Sequence, residues 1–340
     1  MLFFRAMSSG ILASLLLAPS VALAQVPDPA PRPGADGVVD LQTMVVSGVQ
    51  PGPGMWKVRN GDNVLWVMGT LSPLPKGMSW LSRDVEAVIG SAQEVIRPPA
   101  VTVDSGLGRL RSLLLVPSLL RARKNPEGLP LEEVLPPELH ARWTVLKLRH
   151  LGRGAKFERW RPVFAGYRLY QAALDDAGLA DRNLVALVVD KAAKRYSVKM
   201  TTPMVKLKIA DPKKAIKEVS ASSLDDVSCF AKTIARVEND LGTMATRANA
   251  WAIGDIEALR SLPYEDHSRA CLDSLMQTEL ARRQGFVDLE RRVQGEWMKA
   301  AEAALKTNRV TFAMLPVSDL LREDGFLGKL AAKGYEVEQP

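Results

Sequence analysis

The chain has 340 residues, of which 47% are hydrophobic and 24% are charged, a balance that allows one large globular domain or two smaller ones. Its formal net charge of +7 is interpreted first as serving solubility, with contact to an anionic polymer or a membrane surface as the alternative. Beyond Gln25 no apolar run approaches the length of a membrane span, which argues against a transmembrane protein.

The N-terminus has the features of a secretory signal peptide. An apolar run follows Arg5, and Ala22-Leu23-Ala24 forms an A-x-A cleavage site. We therefore expect residues 1–24 to be removed and the mature protein to be periplasmic or secreted. Residues 25–40 are rich in Pro, Ala and Gly, and we expect them to form a flexible leader.

The first structured elements are predicted from turn signals and apolar spacing. A strand ends at Gly48, and a hairpin turns around Asn60-Gly61-Asp62. A helix over 79–89 stops at Gly90, and the run EVIR is a short strand. Strand, turn, helix and strand in this order indicate a βαβ-like unit.

The middle of the chain is predicted to be mainly helical. Residues 103–177 are predicted to be helical, with breaks at KNPEGLP and LPPEL where proline and glycine occur, and with a stop at Gly178. Another helix is predicted over 184–195, and strands are predicted in YSVKM and MVKLKIA. A long helix is predicted from a Ser223–Asp226 capping box to Ala252. Further helices are expected up to Thr307.

The end of the chain repeats the plan of its beginning. The run RVTFAML predicts a strand, residues 319–332 a helix that stops at Gly334, and YEVE a closing strand. Two βαβ-like units therefore bracket a helical middle.

The chain contains two cysteines, Cys229 and Cys271. In an oxidising compartment we expect them to pair and to close a loop of about 43 residues, which the chain-entropy model makes worth roughly 4 kcal/mol. The alternative is two buried free thiols.

Three stretches of the sequence resemble the TraB/GumN family. MWKVRNGDNVLWVMGTLSPLPKGMSW resembles its opening motif, in which a strand ends in Gly-Thr-x-His. WAIGDIEAL resembles its central element at Gly254 and Asp255, and FAMLPVSDLLREDGFLGKLAAKGYEVE resembles its closing segment, which contains Gly325, Gly334 and Tyr335.

The resemblance extends from Met55 to Glu338 and implies the fold. We expect a single TraB/GumN-like α/β domain over 41–340. Its central mixed sheet would be formed by the N- and C-terminal βαβ-like units, with a large helical middle.

The family is related to the Tiki metalloproteases, and the resemblance implies a divalent-metal site of two histidines and a glutamate. This chain departs at all three places. Gly69-Thr70-Leu71-Ser72 has serine for the first histidine, and Pro316-Val317-Ser318-Asp319 has proline for glycine and aspartate for the second histidine. The place of the glutamate falls near Pro98, with Glu94 four residues earlier.

These departures weigh against metal-dependent chemistry. Serine is a poor ligand and proline offers no side-chain donor, whereas hydrolase metals need several imidazole or carboxylate donors. Asp319 with Glu94, or with another carboxylate that the sequence does not identify, could hold Mn²⁺, Co²⁺ or Zn²⁺ only under an alternative with altered ligands, so we expect no cofactor. The histidines match no ligand spacing; they are His140, His150 and His267.

Ser72 is also a weak candidate for a nucleophile. It lacks a Gly-x-Ser-x-Gly elbow, and no general base is evident from the sequence. A turn serine whose hydroxyl bonds nearby backbone is the favoured interpretation.

Other patterns favour structural roles. The alternation in Val205-Lys206-Leu207-Lys208-Ile209 predicts a strand with lysines on one face. We interpret these lysines as solvated residues or as protection of an edge strand, in preference to a contact with an acidic exopolysaccharide. Trp56, Trp66 and Trp80 lie in apolar patterns and are expected in the core. No P-loop, dinucleotide fingerprint or zinc-finger spacing occurs, so nucleic acid is not an expected partner.

These observations together predict an exported protein without metallohydrolase activity. We expect an accessory or binding role in the cell envelope, with an envelope protein or polysaccharide as partner. A link to polysaccharide production follows from the family name alone, which comes from exopolysaccharide gene clusters. The alternatives are an active metal-dependent peptidase with altered ligands and a non-metal hydrolase around Ser72.

Overall fold

The computed structural model describes residues 52–180, 183–209, 211–221, 226–262, 286 and 288–340. Several expectations lie outside these residues: the signal peptide, the leader, the strand ending at Gly48, and Ser223, His267 and Cys271. None of the helices that the structure describes is both long and apolar enough to cross a bilayer.

The described strands are β1 (Met55–Asn60), β2 (Asn63–Thr70), β3 (Leu74–Pro75), β4 (Glu94–Ile96), β5 (Ala100–Asp104), β6 (Leu179–Ala180), β7 (Lys199–Thr201), β8 (Met204–Lys208), β9 (Val310–Pro316) and β10 (Glu336–Glu338). The described α-helices are α1 (Arg83–Ser91), α2 (Arg109–Leu113), α3 (Val116–Ala122), α4 (Leu131–Val134), α5 (Pro137–His150), α6 (Pro162–Asp176), α7 (Leu184–Arg195), α8 (Pro212–Ala221), α9 (Asp226–Asn239), α10 (Leu241–Ala252), α11 (Ile256–Ser261), α12 (Leu289–Thr307), α13 (Val317–Leu321) and α14 (Phe326–Ala332).

The main sheet has the order β10-β1-β2-β9-β4-β7 and is mixed. Strands β2, β9, β4 and β7 are parallel neighbours, whereas β1 is antiparallel to both β2 and β10. The expected α/β fold with a mixed central sheet is therefore confirmed.

The two βαβ-like units interleave in this sheet. Strand β9, from the end of the chain, lies between β2 and β4 of the first unit, and β1 and β2 lie between β9 and β10 of the second unit. Strands from both ends of the described chain thus form one continuous sheet.

Local signals located several elements correctly. The β1–β2 hairpin turns at Gly61, whose φ of 59° is the left-handed conformation that glycine adopts without strain. Helix α7 has the predicted bounds, 184–195, and Asn183 caps it by accepting a hydrogen bond from the Ala186 N–H. Gly178 follows α6 with a φ of 68°.

Four helix predictions were wrong in part. Helix α1 begins at Arg83, four residues later than expected, and continues through the predicted stop at Gly90. Trp80 therefore lies before the helix, where it packs edge to face on Trp251. Residues 100–104 form β5, which pairs with β8, where a helix beginning at Val103 was expected. The long helix predicted to Ala252 is divided at Asp240 into α9 and α10, and the helix predicted over 319–332 is divided into α13 and α14.

The core has a sheet part and a helical part. Trp56, Trp251 and Trp297 are fully buried around the main sheet, with Trp66 and Trp80 partly buried against them. Trp143 and Phe230 lead a second cluster among α4, α5, α6 and α9. The expectation of core tryptophans holds for Trp56, whereas Trp66 and Trp80 lie at the margin.

Candidate functional site

The carboxyl ends of β2, β9 and β4 meet at one edge of the main sheet, and the motif positions lie there. Thr70 is the register partner of Pro316, and Gly69 is the partner of Leu315. Ligand sites in sheets with parallel strands form outside this edge. The fold therefore brings the first and last motifs to the place where a site is expected.

Gly69 and Thr70 have structural roles at this edge. A Cβ on Gly69 would lie 3.0 Å from Val317 Cγ2 and 3.3 Å from the Trp56 ring. The Gly69 carbonyl accepts a hydrogen bond from Trp251 Nε1 at 2.8 Å. The buried Thr70 hydroxyl donates to the Leu315 carbonyl at 3.3 Å. Packing and these hydrogen bonds account for glycine and threonine at the end of β2.

Ser72 lies two residues beyond β2, is half-buried, and forms a cis peptide bond with Pro73. It does not line the cleft described below. Of the histidines, His140 and His150 lie on α5 in the helical region, and His150 Nδ1 contacts Asp176 at 2.7 Å. No base for a serine nucleophile is evident among these described histidines, and His267 lies outside the described residues.

A cleft of about 660 Å³ opens beside the carboxyl edge. Three of the motif positions, Pro98, Pro316 and Asp319, lie on its wall together with Gly325. Its other lining residues lie just after β4, on α12, and on α14 with the turn that precedes it. They are Pro99, Glu290, Arg291, Val293, Gln294, Arg322, Asp324, Phe326 and Lys329.

Arg322 dominates the electrostatics of this cleft. Its Nε and Nη2 donate to the two carboxylate oxygens of Asp324 at 2.9 and 2.7 Å, and its Nη1 lies 3.8 Å from Glu290. The hydrogen bond to Asp324 raises the pKa of Arg322, with smaller contributions from the charges of Asp324, Glu290 and Asp319. The same bond lowers the pKa of Asp324. The acidic groups of the cleft thus already share a cation.

The other two cations of the cleft pair differently. Lys329 donates to the neutral amide oxygen of Gln294, and its charge contributes to the lowered pKa of Asp324. Arg291 pairs with Asp288 on the first turn of α12. The cleft therefore presents both donors and acceptors to a polar ligand.

The cleft residues do not fit a catalytic divalent metal. Pro98 and Pro316 carry no donor, and Asp319 is one carboxylate close to a guanidinium that competes for it. Within the residues that the structure describes, no group of three His, Cys, Asp or Glu side chains could hold an ion.

Glu94 lies at the other end of the sheet from Asp319. It is the register partner of Thr311, five residues before Pro316, which places it roughly 16 Å from the carboxyl edge. The suggestion that Glu94 and Asp319 share an ion is therefore wrong, since a metal ligand must lie about 2 Å from the metal.

Glu94 instead joins β4 to its neighbours. It accepts hydrogen bonds from Thr201, from Lys199 Nζ at 3.0 Å and from Asn308 Nδ2 at 3.3 Å. Burial by itself would raise the pKa of Glu94, but the bonds from Thr201 and Lys199, with the charge of Lys199, outweigh it, so the pKa lies below its ordinary value.

The central motif, WAIGDIEAL, forms the junction of α10 and α11. Gly254 has a φ of 74°, and a Cβ there would lie 3.4 Å from the Gly54 nitrogen. Asp255 caps α11 by accepting from the Ala258 N–H at 2.9 Å. Both residues are explained by the turn, and Trp251 of the same motif holds the end of β2.

Gly325, Gly334 and Tyr335 shape the last helix. Gly325 begins α14, Gly334 has a φ of 89° after its end, and the Tyr335 ring packs against the core while its N–H donates to Leu330. These positions are structural in the described chain.

Sequence reasoning missed the residues that α12 and the turn contribute to the cleft. Glu290, Val293 and Gln294 have the i, i+3, i+4 spacing of one helix face, and Arg322 and Asp324 lie in the run REDG. Neither pattern indicated a site, because nothing local shows that α12 reaches the edge of β4.

Cys229 is buried on α9. Its expected partner Cys271 lies outside the described residues, so the pairing stays a prediction.

One family model matches the chain. The model described as the TraB/PrgY/gumN family covers residues 54–339. No curated protein and no solved structure matches the chain with statistical significance.

Proposed function

The chain belongs to the TraB/PrgY/gumN family, and on this premise we propose that it is a non-hydrolytic member that binds a polar ligand in the cleft at the carboxyl edge of its sheet. The observation that carries the proposal is the identity of the cleft residues. Pro98 and Asp319 stand where two of the family's three metal ligands are expected, with Ser72 at the third position outside the cleft. Arg322 pairs with Asp324 and lies close to Glu290 and Asp319.

The chemistry of the cleft favours binding over hydrolysis. Metal-assisted hydrolysis needs an ion with several protein ligands and an open position for water. The cleft has carboxylates at Glu290, Asp319 and Asp324, but no group of three donors among the described residues could hold an ion. Binding needs only apolar contact with a few well-placed polar groups. Phe326 supplies such contact, while Lys329 and Arg322 supply donors.

The ligand that we propose is a polysaccharide of the cell envelope, with an envelope protein as the alternative. Support comes from the signal-like N-terminus and from the exopolysaccharide gene clusters to which the family name refers. Lys329, whose hydrogen bond goes to the neutral amide of Gln294, suits a polymer with carboxylate groups. On this proposal the protein acts after export, as an accessory of polysaccharide production.

Gel retardation by an acidic polysaccharide tests the binding role. Polygalacturonate cast in a native gel should retard the wild-type protein and should retard the Arg291→Gln/Lys329→Gln variant less. The Lys191→Gln/Lys194→Gln variant, which removes equal charge from exposed positions of α7, is the control and should behave as wild type. Equal retardation of all three proteins would contradict a ligand site in the cleft.

A peptidase assay tests the non-hydrolytic claim separately. We expect no turnover of a fluorogenic peptide library with Mn²⁺, Co²⁺ or Zn²⁺ above the level seen with a chelator. Metal-stimulated turnover that disappears in Asp319→Ala would overturn the proposal in favour of the metal-dependent peptidase.

A further inference from the structure

Helices α2 and α3 carry a row of exposed apolar side chains that the carboxyl-edge cleft does not use. The two helices are joined through Leu114 and Leu115. The exposed fractions are 62% for Leu113, 69% for Leu114, 43% for Val116, 51% for Leu119 and 53% for Leu120.

This helix pair is apolar on two sides. Leu115 and Ala122 are buried at a spacing of seven and face the protein, where α3 packs against α8. Leu113, Val116 and Leu120 have the spacing i, i+3, i+7, which places them together on another side. Packing against the protein explains the apolar residues of the buried side. The described contacts of the two helices do not explain the apolar residues of the exposed side.

The segment that carries the exposed side is basic. Residues 105–126 contain five basic residues and no acidic one, in contrast to the chain as a whole, where 45 basic residues face 38 acidic ones. Arg111, Arg121 and Lys124 are exposed, and Arg123 lies over the Trp160 ring at 5.1 Å.

The neighbouring helix extends this basic surface. Lys213, Lys214 and Lys217 of α8 are exposed beside α3, with Asp211 just before them. Exposed leucines bordered by arginine and lysine are the pattern of helices that lie in the plane of a membrane surface. Long basic side chains can reach phosphate groups while the leucines enter the acyl boundary.

We propose that the α2–α3 face binds the surface of a membrane rich in anionic phospholipids. The leucines named above would enter the headgroup region, and the flanking basic residues would contact lipid phosphates. Charge complementarity selects this occupant, because a segment with five cations and no anion is repelled by a second copy of itself. The proposed contact does not depend on the ligand of the cleft.

Vesicle cosedimentation tests this proposal. The protein is purified from an export host, its N-terminus is determined by mass spectrometry, and every variant is compared with wild type of the same N-terminus. The vesicles contain phosphatidylcholine alone or phosphatidylcholine with phosphatidylglycerol. We expect binding to the anionic vesicles, weaker binding in high salt, and little binding to the neutral ones.

Two variants separate the contributions of apolar and basic side chains. Arg111→Gln/Arg121→Gln should lower the partition coefficient roughly 25-fold, at about fivefold for each cation removed. Leu114→Ser/Leu120→Ser should lower it by about tenfold or more. The matched controls are Val145→Ser/Leu148→Ser on α5, where the exposed fractions are 67% and 54%, and Lys191→Gln/Lys194→Gln on α7. Both controls should bind as wild type.

Three results would overturn the proposal. The first is equal binding to neutral and anionic vesicles, and the second is wild-type binding by both α2–α3 variants. The third is the absence of vesicle binding together with a wild-type dimer in sedimentation that the Leu114→Ser/Leu120→Ser substitutions dissociate. The last result would assign the face to a second copy of the chain. Unchanged circular dichroism of the variants establishes that they are folded.

Discussion

Gly325 lies where the first turn of α14 passes over the end of α13. A Cβ at this position would meet the Asp319 carbonyl oxygen inside the van der Waals limit, and the Arg322 carbonyl oxygen at 2.9 Å. Both obstacles are backbone atoms, which cannot rotate away. The glycine therefore sets the close approach that holds Asp319 and Arg322 on one wall of the cleft.

We predict that Gly325→Ala lowers the free energy of unfolding by about 1–3 kcal/mol, the usual cost of overpacking. Urea denaturation followed by circular dichroism measures this change. Gly77→Ala is the matched control, because nothing lies within 4 Å of a Cβ there, and its stability should be close to wild type. Equal stability of the two variants would refute the packing argument.

Glu94 gives a prediction on pH dependence. Its pKa is lowered in the folded protein from an ordinary value of 4.5, so the folded state favours the carboxylate. The resulting stability is fully present above the unfolded pKa and is lost as the pH falls through the lower folded pKa. Glu94→Gln should therefore cost roughly 1.5–3 kcal/mol at pH 7 and progressively less below pH about 4.5.

The measurement for Glu94 is the difference in unfolding free energy between wild type and variant from pH 7 to pH 3. Glu323→Gln, at an exposed position, is the control and should show a small difference at every pH. A Glu94→Gln difference that grows towards low pH would contradict the sign of the pKa shift.

Among the elements, α10 and β2 are joined by one hydrogen bond at the motif edge. Trp251 Nε1 donates to the Gly69 carbonyl, and the indole packs edge to face on Trp80 at 5.7 Å. The central motif thus supports the opening motif, although the two are far apart in the sequence.

Trp251→Phe should destabilise the protein by about 1–3 kcal/mol, because it leaves a buried carbonyl without its donor. Trp66→Phe is the control, since Trp66 is only partly buried and stacks under Lys57 at 4.8 Å. Thermal unfolding of both variants provides the test. A smaller loss for Trp251→Phe than for Trp66→Phe would show that the bond has no structural role.

Elements with local determinants were predictable from the sequence. The Asn60-Gly61-Asp62 turn identified the hairpin, and the predicted bounds of α7, 184–195, agree with the structure. The insertion of β9 between β2 and β4 was not predictable, because it depends on pairing between distant segments. The division between α13 and α14 was missed because the close approach at Gly325 is a tertiary feature.

The candidate site was predictable only in part for the same reason. Pro98, Pro316 and Asp319 were identified as motif positions and do share one cleft. Glu94 was placed beside them on sequence proximity, and strand register moves it to the opposite end of the sheet. Arg322 was missed, because only the fold brings it close to Glu290, which lies on a helix that precedes β9.

For the whole molecule we predict a disulfide between Cys229 and Cys271. A non-reducing peptide map should contain the linked pair, and reduction should lower the melting temperature, since the closed loop is worth about 4 kcal/mol in the chain-entropy model. Cys229→Ser should reproduce the reduced melting temperature without reductant. Two free thiols in the untreated protein, produced in an export host, would contradict the prediction.

At the scale of the whole molecule, the central claim is that the protein has the fold of its family and lacks the family's metal site. Calorimetric titration of the purified protein with Mn²⁺, Co²⁺ and Zn²⁺, together with elemental analysis, tests it most directly. The account predicts no stoichiometric metal and no binding that depends on Asp319. Stoichiometric binding to wild type that is lost in Asp319→Ala would contradict it.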